Sequence, residues 1–360
     1  MTRTSSRLPL VDMLKAVASQ LIVLHHLAFY GPMSDTAYSL VPAGIDWLYD
    51  YARIAVQVFL VIAGFLAARG LAPDGLPRDR GLIDLLSSRY CRLALPLTVA
   101  VMLSILAAAL ARQLMVHESI PDAPALWQFI SHALLLHGVT EQESLSAGVW
   151  YVAIDFQLFA AFACMLWLAR HLPRWRSATF ALVGGMAAAS LFVFNRQAEL
   201  DSWWIYFFGA YAMGIAAQWA GRSRQGGLWL ALLLALGLAA LVLDFRSRIA
   251  LALCTALLLG WGMRRGWLER CPSFALTDWL SRISYSVFLI HFPVCLLTNA
   301  IVFKLAPDSA VINLAGMILA WQLSIAAGHQ FHRHVESRLA NFSLRQLLPG
   351  FLRQQTQRNS

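Results

Sequence analysis

LPLVDMLKAVASQLIVLHHLAFY, residues 8–30, is an apolar run of membrane-crossing length with Asp12, Lys15, His25 and His26 inside it. About twenty apolar residues cross the hydrocarbon core of a bilayer as a helix. A cation or imidazole at that depth is costly unless it faces protein or a wet cavity. Lys15 and His26 stand eleven positions apart, which at about 100° per residue is close to three turns, so both side chains share one helix face roughly 16 Å apart along the axis. The run predicts a first transmembrane helix with a polar stripe that a long polar molecule could span. It is too long for a cleavable signal segment and has no small-residue cleavage site before the acidic loop 34–50, so it is expected to stay in the mature chain.

The same pattern recurs down the chain. Hydrophobic residues make up 59% and charged residues 13%, with mean hydropathy +0.60, far from the balance of a soluble domain. Apolar runs at 9–31, 52–70, 91–112, 148–169, 178–195, 203–220, 227–243, 248–263, 281–303 and 310–332 predict ten membrane helices. The shorter run Trp127–His137 cannot cross comfortably and is expected at the interface or as a re-entrant helix. No internal repeat or soluble domain is visible. The prediction is an all-α, polytopic membrane protein: one transmembrane domain, 1–340, and a basic tail, 341–360.

Lysine and arginine set the orientation. With the N-terminus inside, 21 of them fall on inner segments and six on outer ones, with Lys15 in the bilayer. This asymmetry predicts that both termini are cytoplasmic and that the protein is a multi-pass protein of the cytoplasmic (inner) membrane. It also accounts for the net charge of +9: basic residues are spread over every inner loop instead of forming one aromatic-interleaved groove, so they speak for lipid headgroups and against nucleic acid. The five cysteines, Cys91, Cys164, Cys254, Cys271 and Cys295, lie in spans or inner loops with no CxxC spacing, and read as packing residues.

Three further polar signals accompany Lys15 and His26. Arg89 and Arg92, at the start of the third span, are i and i+3 on one helix face and suit bidentate phosphate binding; taken alone, arginines flanking a span also satisfy the positive-inside rule. Asp155, in VWYVAIDFQ (149–157), is expected about 10 Å below the outer face, close to the depth of His26 at roughly 8 Å. It is either a functional carboxylate or half of an ion pair that joins two helices. His291 lies near midplane in LSRISYSVFLIHFP (280–293) just before Pro293, with Ser284 and Tyr285 on the same segment; a lone histidine there is commonly a packing residue.

Together these segments resemble the acyltransferase 3 family of integral membrane O-acyltransferases. The resemblance rests on Asp12 and Lys15 through His26, the VFLVIAGFL run (58–66), Arg89-x-x-Arg92, WYVAIDFQLF (150–159), SYSVFLIHFPV (284–294) and Val335-Glu336-Ser337, in family order over nearly the whole chain. Lys15 stands where arginine is commoner, Asp155 where glutamate is usual, and Ser337 where proline often follows. No appended esterase-like domain is expected after the spans.

The resemblance implies transfer of an acyl group, usually acetyl, from cytoplasmic acetyl-CoA to a hydroxyl of a cell-surface, exported or lipid-linked carbohydrate on the outer side. Arg89, Arg92 and Lys15 would hold the acyl-CoA on the inner side. His26 would be the general base and Asp155 its orienter, while Asp12, Ser284, Tyr285 and His291 are further candidates. His25 points about 100° away and is the weaker base. A secondary transporter relaying protons through Lys15, Asp155 and His291 is the alternative, although no matched broken helices are evident. No metal is expected: His329, His332 and His334 lack an HExxH pattern and have Arg333 and Arg338 beside them.

Overall fold

The computed structural model describes residues 7–340, so the expected basic tail 341–360 lies outside the described residues. Among the described residues the chain is helical throughout, with no strand. Helix α1 (Pro9–Phe29) leads through α2 (Met33–Ala37) and α3 (Pro42–Asp50) to α4 (Val56–Leu71) and α5 (Leu82–Ala111). After the short α6 (Leu126–Ala133) come α7 (Val149–Arg170), α8 (Trp175–Phe192), α9 (Trp204–Arg222), α10 (Gly226–Leu243) and α11 (Ser247–Arg265). A single turn, α12 (Trp267–Arg270), precedes α13 (Ala275–Leu305) and α14 (Ala310–Phe331), which ends in a widened π-turn, His332–Glu336, and the short α15 (Ser337–Leu339).

Each of the ten apolar runs forms a helix. Eight are long and apolar enough to cross a membrane; α9 and α11 stand apart from these. The apolar part of α11 is shortened by Arg248, Arg264 and Arg265, and α9 is diluted by Tyr206, Gly209, Tyr211, Gly214 and Gln218, most of which face the protein interior. Helices α5 and α13 start nine and six residues earlier than the hydropathy predicts, because Asp84, Arg89, Asp278 and Arg282 interrupt the apolar run but not the helical backbone. Their 30 and 31 residues extend about 45 Å.

Segment 113–148 re-enters the bundle. Tyr90 Oη donates to the Ala133 carbonyl at 2.8 Å, and Ser104 Oγ bonds Ser146 Oγ at 3.0 Å. Tyr90 and Ser104 are about 21 Å apart along α5, so the returning segment runs down the side of that helix and does not lie flat. It ends at Gly148, whose φ of 78° suits glycine, packed against Phe288 near the middle of α13: a Cβ there would come within 2.7 Å of the Phe288 ring. Helix α7 therefore begins in mid-bundle, about 10 Å above Asp155, which puts Asp155 deeper than its distance from a membrane face suggested.

Helix α1 is seated on α13 at three levels. Ser281 Oγ donates to Asp12 at 2.7 Å, His26 meets His291, and Asn299 accepts from the Met33 N–H at 2.9 Å while donating to the Tyr30 carbonyl at 3.1 Å. Pro9 at the first helical position and Asp12 in the first turn suit the start of α1. On the other side α4 crosses α9 at Gly64 and Gly214, where backbone lies against backbone. Leu228, Val242 and Leu243 of α10 face outward, as lipid contact requires.

Candidate functional site

His26 and His291 form the centre of the site. His26 Nδ1 and His291 Nε2 are 2.7 Å apart, with the rings inclined by only 9°. His291 Nδ1 lies 2.7 Å from the Phe288 carbonyl, which accepts only, so that nitrogen carries the proton. Nε2 of His291 is then an acceptor, and His26 Nδ1 must be the donor to it. By elimination the hydrogen-bond network leaves His26 Nε2 with a free lone pair. It has no hydrogen-bond partner among the described residues and is not closed off from solvent. Pro293, two residues beyond His291, lies within a continuous α13.

His26 opens into a cavity of about 910 Å³, walled by α1, residues 50–57, the returning segment, the start of α7, residues 198–207 and residues 245–248. Its lining mixes rings (Trp150, Tyr206, Phe288) with polar groups (Arg53, Gln57, His137), the composition of a ligand site more than of a lipid groove. His25 also lines this cavity, but its Nδ1 donates to the Leu48 carbonyl at 3.0 Å and ties α1 to α3.

Asp155 is not beside His26. Its Oδ2 accepts from Arg89 Nη2 at 2.5 Å, and the Arg89 guanidinium also lies over the Phe159 ring at 5.1 Å. The carboxylate expected to orient the base is thus half of an ion pair joining α5 to α7, and His291 stands where that orienter was expected. Arg89 is correspondingly not an open phosphate grip. Arg92, one turn further on, is exposed and has no ion pair among the described residues. Lys15 is half-buried, with Asp12, Glu336 and Arg92 as its charged neighbours. Lys15 and His26 lie on one unbroken helix, as their spacing required.

The remaining candidates hold structural bonds. Asp12 accepts from Arg7 at 3.2 Å and from Ser281; Ser284 Oγ donates to the Ser281 carbonyl at 2.8 Å, and Tyr285 Oη to the Leu93 carbonyl at 2.8 Å. No side-chain hydrogen bond among the described residues links Lys15, Asp155 and His291 into a relay. Glu336, on the π-turn, accepts from Ser286 at 2.5 Å and pairs with His332 at 3.0 Å, which brings the end of α14 against α13 beside Lys15. His329 accepts from Trp279 Nε1 at 3.2 Å. Among the described residues no group of three or more His, Cys, Asp or Glu is arranged to hold a metal ion.

Comparison with known proteins gives a family match and one distant relative. A family model described as an acyltransferase domain, Acyl_transf_3, matches residues 9–328. The "Regulator of hypoxia-inducible factor 1" of Caenorhabditis elegans is 25% identical over 188 residues, which are 48% of this chain and 37% of that protein. The match therefore spans little more than a third of the relative's length. No solved structure matches.

Proposed function

Because this chain belongs to the acyltransferase 3 family, we propose that it is a membrane-bound O-acyltransferase. It moves an acyl group, acetyl in the simplest case, from acetyl-CoA to a hydroxyl of a carbohydrate. The observation that carries this reading is the His26–His291 bond, with the remaining nitrogen of His26 open to a large cavity. A sugar hydroxyl is a poor nucleophile at neutral pH, and a positioned imidazole contributes about 10²- to 10⁴-fold.

The step balances on this chain's own groups. His26 Nε2 takes the proton as the hydroxyl oxygen bonds to the thioester carbonyl carbon. The carbon–sulfur bond then breaks, and His26 returns that proton to the departing sulfur. Throughout, His26 Nδ1–H stays on His291 Nε2, and the Phe288 carbonyl fixes the tautomer of His291, much as a third group orients the base in a hydrolytic triad. Lys15 and Arg92, about 16 Å from the base along α1 in the case of Lys15, supply cationic partners for the phosphates at the far end of the extended donor.

The lysine and arginine distribution supports a cytoplasmic donor side and an outer acceptor side in the inner membrane. Sealed vesicles with acetyl-CoA supplied only to the side bearing the termini test the whole reading. Labelled acetyl on glycan added to the opposite side is expected; uptake of glycan without acetylation would turn the assignment towards transport.

A further inference from the structure

The cavity that reaches His26 has a second polar feature that the proposed reaction leaves unused. His137, in its wall, is only 1% exposed, yet neither ring nitrogen has a partner among the described residues. Its neighbour His132 stacks on it, centroids 4.4 Å apart and rings inclined by 14°, but is fully engaged. His132 Nδ1 donates to the Gln128 carbonyl at 2.8 Å, and Nε2 accepts from the Leu145 N–H at 3.1 Å. One member of the pair thus holds the returning segment in shape. The other lies in the cavity wall with both ring nitrogens unpartnered and almost closed off from solvent, which is rare because a buried donor or acceptor without a partner is costly.

The rest of that wall has matching chemistry. Gln57, at the start of α4, is 6% exposed and its amide has no partner among the described residues. Trp150 keeps an exposed face while its ring stacks on Phe207 at 5.6 Å and 30°. Burial, and then proximity to His132, push the His137 imidazole down to about 4, so at neutral pH it offers one donor and one acceptor and no charge. Of the three arginines in the same wall, Arg53 is exposed and shares the wall with the exposed carboxylates of Asp50 and Asp201, while the other two are committed. Arg246 donates to Asn195 Oδ1 at 2.7 Å and the Leu191 carbonyl at 3.1 Å; Arg248 donates to the Asn195 carbonyl at 2.9 Å and lies over Tyr206 at 4.7 Å.

A flat aromatic face beside uncharged groups that both donate and accept suits a ring with apolar C–H faces and hydroxyls on its edge. We propose that Trp150, His137 and Gln57 form an acceptor-positioning subsite for a neutral pyranose, which rests on Trp150, bonds His137 and Gln57 through its hydroxyls, and so presents a further hydroxyl to His26. This rests on the acyl-transfer reading above, but the subsite binds sugar whether or not transfer follows. His137 and Gln57 are positioning residues, since neither touches the atoms that react.

The test uses the full chain in nanodiscs and a panel of probes: methyl glycosides of neutral hexoses, methyl glucuronide and glucose 6-phosphate. Saturation-transfer NMR reads sugar binding, and labelled acetyl-CoA reads transfer to the same probes. At least one neutral glycoside is expected to bind, in preference to both acidic probes. Trp150→Ala, His137→Leu and Gln57→Leu are each expected to raise its Kd or KM about tenfold, the loss of roughly one hydrogen bond or stacking contact, while acetyl-CoA affinity changes less than twofold. His137→Gln, which keeps a donor and an acceptor, is expected to restore most of the binding.

Undiminished sugar affinity in His137→Leu and Trp150→Ala, with the proteins correctly inserted, would overturn the subsite, as would preference for the acidic probes or failure of wild type to bind any neutral glycoside. Binding that depends on His137 and Trp150 but leads to no acetyl transfer would keep the subsite and overturn the proposed enzyme activity instead.

Discussion

Arg89 of α5 and Asp155 of α7 are bonded to each other at 2.5 Å in the interior of the bundle, with Asp155 4% exposed. Breaking a buried ion pair by removing one partner typically costs about 3–5 kcal/mol, whereas replacing both partners with packed apolar groups is often neutral. Arg89→Ala and Asp155→Ala are therefore each expected to lower the unfolding temperature of the solubilised protein sharply. The double substitution Arg89→Met with Asp155→Leu is expected to recover most of it. A single variant of normal stability that loses only acetyl-CoA binding would return Arg89 to the donor site.

Arg92 and Lys15 are predicted to behave in the opposite way. Arg92 is exposed and bonded to no carboxylate among the described residues, so Arg92→Ala should leave thermal stability nearly unchanged. If it holds a CoA phosphate, the same substitution weakens acetyl-CoA binding by about 1.5–3 kcal/mol, the range for a hydrogen bond to a charged group. Lysine at position 92 should rescue only in part, since it cannot reproduce the bidentate fork. Titration of acetyl-CoA against Arg92→Ala, Arg92→Lys and Lys15→Ala measures this.

The α4–α9 crossing yields a prediction about packing. A Cβ on Gly64 would lie 1.9 Å from the Tyr211 carbonyl oxygen, and one on Gly214 would lie 1.9 Å from that of Val61. Both obstacles are backbone, so the helices must separate, as at other small-residue contacts in membranes. Gly64→Ala and Gly214→Ala should each reduce stability by several kcal/mol, an overpacking effect at the upper end of its usual range. Among the described residues, nothing lies within 4 Å of the Cβ position of Gly184 of α8; Gly184→Ala should be neutral or stabilising by about 0.5–1 kcal/mol. Thermal unfolding of the three variants decides it.

Much of this architecture was legible because hydropathy and the 3.6-residue period determine it. The ten apolar runs became helices, and Lys15 and His26 fell on one continuous helix. The returning segment was readable only as a run too short to cross. Its depth depends on Tyr90 and Ser104 of α5 and on the fit of Gly148 against Phe288, contacts between residues distant in the chain. The partners of Asp155 and His291 were hidden for the same reason: sequence order placed Asp155 near the depth of His26, but α7 starts in mid-bundle and delivers it to Arg89. His291, which looked like a packing residue, became the partner of His26 because α1 and α13 lie side by side. His137 and Gln57 carry no local signal at all, since an empty hydrogen-bonding edge exists only once the surrounding chain has folded.

His291 should act through His26. His291→Ala removes the acceptor that holds the His26 Nδ1 proton, freeing the ring to adopt the wrong tautomer, and is expected to lower turnover by about 10²-fold, the low end of the contribution of a general base. His291→Gln keeps an acceptor oxygen and should retain more activity. Equal activity in His291→Ala and wild type would show that the 2.7 Å bond has no part in turnover.

In the proposed mechanism His26 Nε2 accepts the proton of the acceptor hydroxyl. Its most direct test is turnover of His26→Ala at saturating acetyl-CoA and glycan, with acetyl-CoA affinity measured on the same preparation and His25→Ala as the neighbouring control. The predicted result is a loss of at least about 10²-fold in turnover with acetyl-CoA affinity unchanged, while His25→Ala, which loses its bond to the Leu48 carbonyl and its ring contact with Phe29, keeps most of its activity. Turnover surviving in His26→Ala, or lost in His25→Ala alone, would contradict it.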